Sequence, residues 1–253
     1  MKLKYWVANL FGYELVRKKS DSFIHKSIES HLKAVLDQQA INCVLDVGAN
    51  VGQYGKKLRD EGYANMIASF EPLPSAFEEL KNISKTDTQW ETFNYALGRD
   101  EGTHTITARQ SSALTSFLPA AERAKGLFHR GMDVLETIDV EVKRLDSILD
   151  QIIMFLDEPR IFLKMDTQGY DLEVFAGVGE KFLKYIFGLQ SELSVIPLYE
   201  GMPDYIEALS VYRKDGFVIT GLYPVFRLGQ FQKENPYIIG EIDLVMIRDD
   251  HHT

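Results

Sequence analysis

Residues 43–55, CVLDVGANVGQYG, constrain this chain more than any other stretch. Cys43, Val44 and Leu45 lead through Asp46 into a turn interrupted by Gly48 and Gly52, and the spacing beyond it is helical. A strand that leaves through a glycine turn and re-enters as a helix belongs to an open sheet, because a helix must carry the chain back before a parallel strand can pair. The rest of the chain keeps this alternation. NMIASFEP (65–72) reads as a second strand and WETFNYALG (90–98) as a third. Helical patterns run over 51–61, closed by Gly62, and over 74–83, where Pro74 suits a first turn. RIFLKMD (160–166) and IFGLQSELSV (186–195) read as buried fourth and fifth strands, preceded by a helix through Leu145, Ile148, Leu149 and Ile152. DLEVFAGVGEKFL is helical with a break at Gly177 and Gly179, and a further helix runs from Pro203 to Gly216. Ile24, Ile28, Leu32, Val35 and Leu36 recur at helical spacing and predict an amphipathic helix over 22–38.

Two segments depart from the alternation. THTITA and TIDVEVKRL alternate like half-exposed strands around an irregular stretch holding SSALTSF, which predicts a small antiparallel insertion at about 102–140, beside any ligand crevice. GFVITGLYPV and GEIDLVMIR are separated by FRLGQFQKENPYII, whose Gly229 and Pro236 oppose a crossover helix, so these strands should pair antiparallel. The expected fold is α/β and Rossmann-like, a mostly parallel seven-stranded sheet ending in an antiparallel hairpin. That is the arrangement of class I methyltransferases, whereas dinucleotide dehydrogenases usually carry a purely parallel sheet.

At 253 residues the default is one sizeable domain. Residues 1–40 read as an N-terminal helical cap that packs on the domain or supports homo-oligomer formation, and 41–253 as the domain itself. The apolar patch near the N-terminus is interrupted by Asn9, Gly12 and Glu14 and falls short of the ~18 apolar residues a membrane helix needs. A net charge of -9 opposes tight binding to phosphate backbones, so no nucleic-acid partner is expected. The single cysteine, Cys43, reads as a small buried hydrophobe in a reducing, cytoplasmic setting.

Ligands of open parallel sheets lie beyond the carboxyl ends of the strands, where strand order reverses, and the first strand borders that crevice. Gly48 and Gly52 allow close backbone approach, and Asn50 tolerates left-handed geometry. Glu71 ends the second strand about 20 residues further on, where a carboxylate can accept both ribose hydroxyls of an adenosine; the alternative is a carboxylate that merely favours the dipole of the next helix. With no G-x-G-x-x-G to grip a diphosphate, these features favour S-adenosylmethionine over NAD.

VLDVGANVGQYG, FEPLPSAFEEL, NYALG, SSALTSF and LKMDTQGYDLEVFAGV, in this order and spacing, resemble the FkbM-type methyltransferases, S-adenosylmethionine-dependent enzymes that mainly methylate hydroxyls of sugars and polyketide-type natural products. The resemblance covers residues 41–248. It implies that Asp46, Gly48 and Asn50 surround the methionine part of the cofactor with Gln53 at the mouth of the turn, that Glu71 binds the ribose, and that Asn94 and Ala96 border the adenine, with Pro72 and Leu73 in the same pocket. It also matches Ser111 and Ser112 to paired serines that close over the cofactor or bind substrate hydroxyls.

Methyl transfer from a sulfonium is an in-line displacement that depends mainly on positioning, and a hydroxyl acceptor gains from a nearby base. Asp166, at the carboxyl end of the fourth strand, is the first candidate for base or substrate-orienting acceptor, and Glu192 is the second. Lys164, on the same strand face, is the third catalytic candidate, paired with Asp166, with a structural ion pair covered by a helix as the equal alternative. Asp166, Asp171 and Glu192 offer oxygen ligands for Mg²⁺, but no dedicated metal motif is present and metal is not favoured. Tyr199, Tyr223 and Phe226 are available to stack on a sugar ring. The expected function is O-methylation of a small-molecule or saccharide acceptor; the alternatives are a non-catalytic cofactor-binding scaffold and an NAD-binding oxidoreductase.

Overall fold

The computed structural model describes residues 27–230 and 236–249. In chain order the strands are β1 (Cys43–Val47), β2 (Met66–Phe70), β3 (Trp90–Phe93), β4 (Ala96–Leu97), β5 (Gly102–Arg109), β6 (Val134–Lys143), β7 (Ile161–Met165), β8 (Ile186–Ser194), β9 (Phe217–Arg227) and β10 (Ile239–Arg248). The helices are α1 (Ile28–Gln38), α2 (Gln53–Asp60), α3 (Pro74–Ser84), α4 (Glu122–Phe128), α5 (Leu145–Ile153), α6 (Asp171–Ala176), α7 (Gly179–Leu183) and α8 (Tyr205–Lys214). Seven strands form the principal sheet in the order β3-β2-β1-β7-β8-β10-β9, and β10 runs against both of its neighbours. The α/β class, the mostly parallel sheet and the antiparallel terminal hairpin are therefore as the sequence predicts. Strand order reverses between β1 and β7, which puts the crevice at their carboxyl ends.

Period-two alternation divides the core into two layers. Cys43, Leu45 and Val47 face α5, α6, α7 and α8 in one cluster, while Val44 faces α1, α2 and α3 in the other. Leu45 and Leu163 have no exposure, and burying such a side chain contributes roughly 1.5–3 kcal/mol. Cys43 lies in the same layer, where burial pushes its thiol up to about 12, consistent with a packing role. No helix among the described residues is long and apolar enough to cross a membrane.

The structure revises several boundaries. The first helix begins at Ile28, where the Ser27 hydroxyl accepts from the Ser30 N–H; the part of the predicted helix over 22–26, like the rest of the proposed cap up to 26, lies outside the described residues. WETFNYALG is two strands rather than one: β3 stays in the main sheet, and β4 pairs parallel with β6. The turn between them is held by the Asn94 amide, which donates to the carbonyls of Glu71 at 2.9 Å and Pro72 at 3.1 Å. The helix predicted from Pro203 starts at Tyr205, because Asp204 has the carboxylate that accepts from the Ile206 N–H at 2.8 Å and proline has no such group. The insertion is antiparallel through β5 and β6 but runs on to Lys143 and contains α4, which its irregular sequence concealed.

Candidate active site

A cavity of about 340 Å³ opens at the carboxyl ends of β1, β2, β7 and β8, roofed by the insertion. One half is built by the glycine turn and the end of β2. Gly48 has φ +76°, and a Cβ there would collide with the Asp166 carbonyl, so only glycine lets β1 leave the sheet so close to the end of β7. Asn50, at φ +48°, donates its N–H to Glu71 Oε2 at 2.8 Å, and the Leu73 N–H donates to Oε1 at 2.8 Å. Glu71 thereby ties the glycine turn to the end of β2. Burial pushes it up to about 7, against the two N–H donors and the Lys164 charge. The Asn50 Oδ1 is buried without a partner, an orphaned acceptor at the cavity wall. Gln53, Pro72, Leu73 and Ala96 also line this half.

Two residues expected around the cofactor do not line the cavity. Asn94 braces the β3–β4 turn, as described above, and Asp46 lies beneath the floor. Asp46 and Lys164 are register partners on β1 and β7, and alternation turns both toward the layer of α1, α2 and α3. Their ion pair measures 3.0 Å, with the side chains 0% and 4% exposed. Ser69 donates to Asp46 at 3.1 Å and receives the Trp90 indole N–H at 3.0 Å. Burial alone would lower Lys164, but the Asp46 and Asp166 carboxylates override it and hold the ammonium above its usual range. Its Nζ also donates to the Gly48 carbonyl at 3.3 Å and sits 5.1 Å from the Tyr54 ring centroid. Lys164 thus supports the turn from below and does not reach the cavity surface as a catalytic group.

The other half is acidic on its floor and apolar on its wall. Asp166 and Glu192 both line it. Asp166 is 37% exposed, with Oδ2 at 3.5 Å from the Lys164 ammonium. Burial, with Asp166, Glu241, Asp243 and Asp171 close by, drives Glu192 well above the usual carboxylate range. Asp171, on α6, accepts from Thr167 and from the Ser191 hydroxyl at 2.7 Å, and burial raises it too. It supports the β7–α6 turn rather than lining the cavity. Among the described residues no three His, Cys, Asp or Glu side chains are grouped to hold a metal ion. Ser112 lines the mouth of the cavity, whereas Ser111 opens a 3₁₀ turn and gives its N–H to the Gly131 carbonyl at 3.1 Å. Phe226 and Val225 form part of the wall with Leu114 and Phe128. Tyr223 packs near His31, 5.7 Å between ring centroids, away from the cavity, and Tyr199 is buried behind it, so neither is placed to stack on a ligand.

Three contributors escaped the sequence reading. Glu241 lines the cavity, takes the Ser194 hydroxyl at 2.7 Å and is pushed up to about 7 by burial. Asp243, two residues on, accepts from Gln190 at 3.0 Å and is pushed up to about 6 by burial. Acids at 241 and 243 in a strand otherwise reading as core were a visible signal. Gln168 is the third: its amide donates to Glu192 Oε2 at 2.6 Å and reaches Asp166 Oδ1 at 3.4 Å. Its left-handed backbone, φ +52° beside Gly169 at +89°, was foreshadowed only by the Gln-Gly pair.

The chain matches the methyltransferase FkbM domain over residues 46–219. It is 26% identical over 239 residues to Methyltransferase sdnD of Sordaria araneosa, covering 84% of this chain and 88% of that protein. It is 22% identical over 195 residues to Methyltransferase 1 of Beauveria bassiana (strain ARSEF 2860), covering 70% and 72%. Among solved structures, precorrin-6y C5,15-methyltransferase from Geobacter metallireducens GS-15 overlaps 92% of this chain and 93% of its own at 10% identity and a TM-score of 0.44. Aeropyrum pernix fibrillarin with natively bound S-adenosyl-L-methionine overlaps 85% and 74% at 8% identity and a TM-score of 0.41. With the FkbM domain spanning most of the chain and framing the cavity from Asp46 through β8, this protein belongs to the FkbM family of methyltransferases.

Proposed function

We propose that the protein transfers a methyl group from S-adenosylmethionine to a hydroxyl oxygen of an uncharged sugar or natural-product acceptor. The residues present fit the cofactor: the glycine turn leaves room for close backbone approach, the orphaned Asn50 Oδ1 lacks the donor that an amino-acid ammonium carries, and Glu71 keeps free lone pairs beyond its two N–H bonds. Gly48, Asn50 and Gln53 would hold the methionine part, Glu71 the ribose, and Pro72, Leu73 and Ala96 the adenine. When bound, S-adenosylmethionine supplies an electrophilic methyl group on a sulfonium.

The chain's own work is to hold the acceptor and manage its proton. Asp166 is the base because it alone of the floor acids is both open to the cavity and paired with a cation, Lys164. A carboxylate so placed accepts the hydroxyl proton and passes it to solvent through its exposed edge, a contribution of typically 10²- to 10⁴-fold. Glu192 and Glu241, driven toward the protonated form by burial, orient the hydroxyl as hydrogen-bond partners. Leu114, Phe128, Val225 and Phe226 suit an apolar face of the acceptor, and the acids below disfavour carboxylates and phosphates.

The observation that carries this reading is the shared cavity, with Glu71 and the glycine turn at one end and Asp166 with Glu192 at the other. Calorimetric titration with S-adenosylhomocysteine, with NAD as control, tests its first half: no binding of the former by folded protein overturns it. Transfer of an isotopically labelled methyl group across a panel of neutral alcohols, sugars and amines tests the second. Label appearing on nitrogen and never on oxygen would replace the hydroxyl with an amine.

A further inference from the structure

Gln168 occupies the junction of the acid floor and the insertion. Its backbone adopts the left-handed conformation at φ +52°, which is unfavourable for a non-glycine residue. Side chains over-determine it. The Tyr199 hydroxyl lies 2.9 Å from Gln168 Oε1 and 3.0 Å from the Leu114 carbonyl, and the Ser116 hydroxyl donates to the Gln168 carbonyl at 2.8 Å. Strain held in place by such surroundings is a feature of functional sites.

We propose that Gln168 is a positioning residue of the methyl-acceptor site: its amide, oriented by Tyr199, donates to Glu192 and Asp166 together and fixes which oxygens these carboxylates turn toward the acceptor. This deepens the reading of the cavity as a hydroxyl-methylating site and rests on it. A glutamine amide can sit either way round in a pocket of the right shape. When the Tyr199 hydroxyl gives its single proton to Oε1 rather than to the Leu114 carbonyl, it selects the orientation that gives both amide hydrogens to the acids; with both acids ionised, the reverse would set a carbonyl oxygen against two carboxylates. Asp166 is then held from two sides, Oδ1 by Gln168 at 3.4 Å and Oδ2 by Lys164 at 3.5 Å, which leaves its remaining lone pairs for the cavity. Long contacts of this kind tighten when substrate closes the site.

The surroundings of Glu192 make a neutral donor valuable there. Asp166 faces it from the turn after β7, Asp171 from α6, Glu241 and Asp243 from β10, and Tyr199 from the segment after β8, with Arg109 of β5 acting on Tyr199. Among these, the Gln168 amide is the group that donates to Glu192 without adding charge. Because Tyr199 and Ser116 join Gln168 to the insertion, a change in the roof would reach both acids through this one side chain.

The test is a ¹³C-NMR titration of protein labelled at the glutamate side-chain carboxyl carbons, with the Glu192 signal identified by its loss in Glu192→Gln. Wild type is compared with Gln168→Gly, which suits the left-handed backbone, and with Tyr199→Phe, each with and without S-adenosylhomocysteine. The Glu192 midpoint should rise by about one pH unit in Gln168→Gly, since its ionised form loses a donor, and by less in Tyr199→Phe. S-adenosylhomocysteine affinity should stay within about twofold, because the cofactor half is untouched. An unchanged midpoint in both variants overturns the proposal. With an acceptor that turns over, Gln168→Gly should lower kcat by about 10- to 100-fold and move the acid limb of the pH profile upward; full kcat with a shifted midpoint would also overturn it. Wild-type protein that methylates no hydroxylated acceptor defeats the hydroxyl reading instead, a result distinguishable from either.

Discussion

At the β1–β2 end of the cavity, Asn50 and Glu71 meet across 21 residues of sequence, and every hydrogen bond that holds the Glu71 carboxylate comes from backbone N–H groups. At the β8–β10 end, the Tyr199 hydroxyl reaches the Leu114 carbonyl across 85 residues, and the bonds among the polar groups are largely between side chains, Gln168 to Glu192, Tyr199 to Gln168, Ser194 to Glu241. The first arrangement follows from one strand, one turn and one helix, and it keeps its geometry while those elements stand. The second gathers like charges from four separate segments and depends on all of them. Side chain–side chain bonds are a small share of the hydrogen bonds in ordinary proteins, so their concentration here sets this half apart from the first.

The largest effect should separate the halves outright. Asp166→Asn should reduce methyl transfer by about 10²- to 10⁴-fold while S-adenosylhomocysteine affinity stays near wild type, measured by labelled-methyl turnover beside calorimetry. Equal losses in both would mean that the two ends act as one site.

Lys164→Met should follow, and its effect falls on the layer beneath both halves. Removing the ammonium leaves Asp46 buried with no opposite charge, and breaking such a pair costs about 3–5 kcal/mol. Urea denaturation should show the loss as a lower midpoint, and Asp46→Asn in the same protein should recover much of it. A double variant no more stable than the single one would shift the role of Lys164 from pairing Asp46 to holding the Gly48 carbonyl and Asp166.

The same contrast explains what could be read from the chain. β1, its glycine turn, Glu71 and the alternation of strands with helices follow from patterns a few residues long, because a positive-φ glycine or a strand-ending acid is a local necessity. The β8–β10 half offered less. Asp166 and Glu192 were legible as acids at strand ends, but Gln168 acquires meaning only when Tyr199 and Ser116 arrive from elsewhere in the fold. Asp46 and Lys164 were only partly legible for a related reason: both belong to motifs at strand ends, and an ion pair was foreseen for Lys164, but alternation turns both under the floor, and their in-register pairing becomes visible only once β1 and β7 are adjacent. Asn94 similarly sits beside the predicted pocket, but its amide is consumed by the turn that moves the chain from one sheet to the other.

Glu71→Gln probes the local half at a smaller scale. An amide cannot accept from both Asn50 and Leu73, so one N–H is left facing another donor, at a cost of about 1–3 kcal/mol. S-adenosylhomocysteine affinity should fall by about tenfold or more at pH 8. In wild type the Glu71 carboxyl, raised from 4.5 to about 7, holds a proton on folding that the unfolded chain does not, so stability present at low pH is lost as pH climbs through this window. Ribose hydroxyls need the ionised acceptor, so affinity should strengthen as pH rises from 6 and level off above about 7. Calorimetry at pH 6, 7 and 8 checks both signs; a flat wild-type profile would leave Glu71 as a clip for the turn and nothing more.

The smallest effect tests whether the apolar wall belongs to the acceptor at all. Val225 is 44% exposed on β9 and lines the cavity opposite the acids. Val225→Ala removes two carbons from a half-open site, so folding stability should change by no more than about 0.5 kcal/mol. If the acceptor's apolar face rests there, each lost carbon that it covered is worth up to about 0.8 kcal/mol, and partial coverage gives an acceptor KM higher by about two- to fivefold with kcat unchanged. That pattern is uniform binding lost, equal in ground and transition states. A lowered kcat would instead mean that the wall helps aim the hydroxyl at the methyl group, extending the long-range character of this half from its acids to its apolar surface. An unchanged KM would confine the acceptor to the space between Gln168, Glu192 and the insertion, and so make it a smaller molecule than the cavity admits.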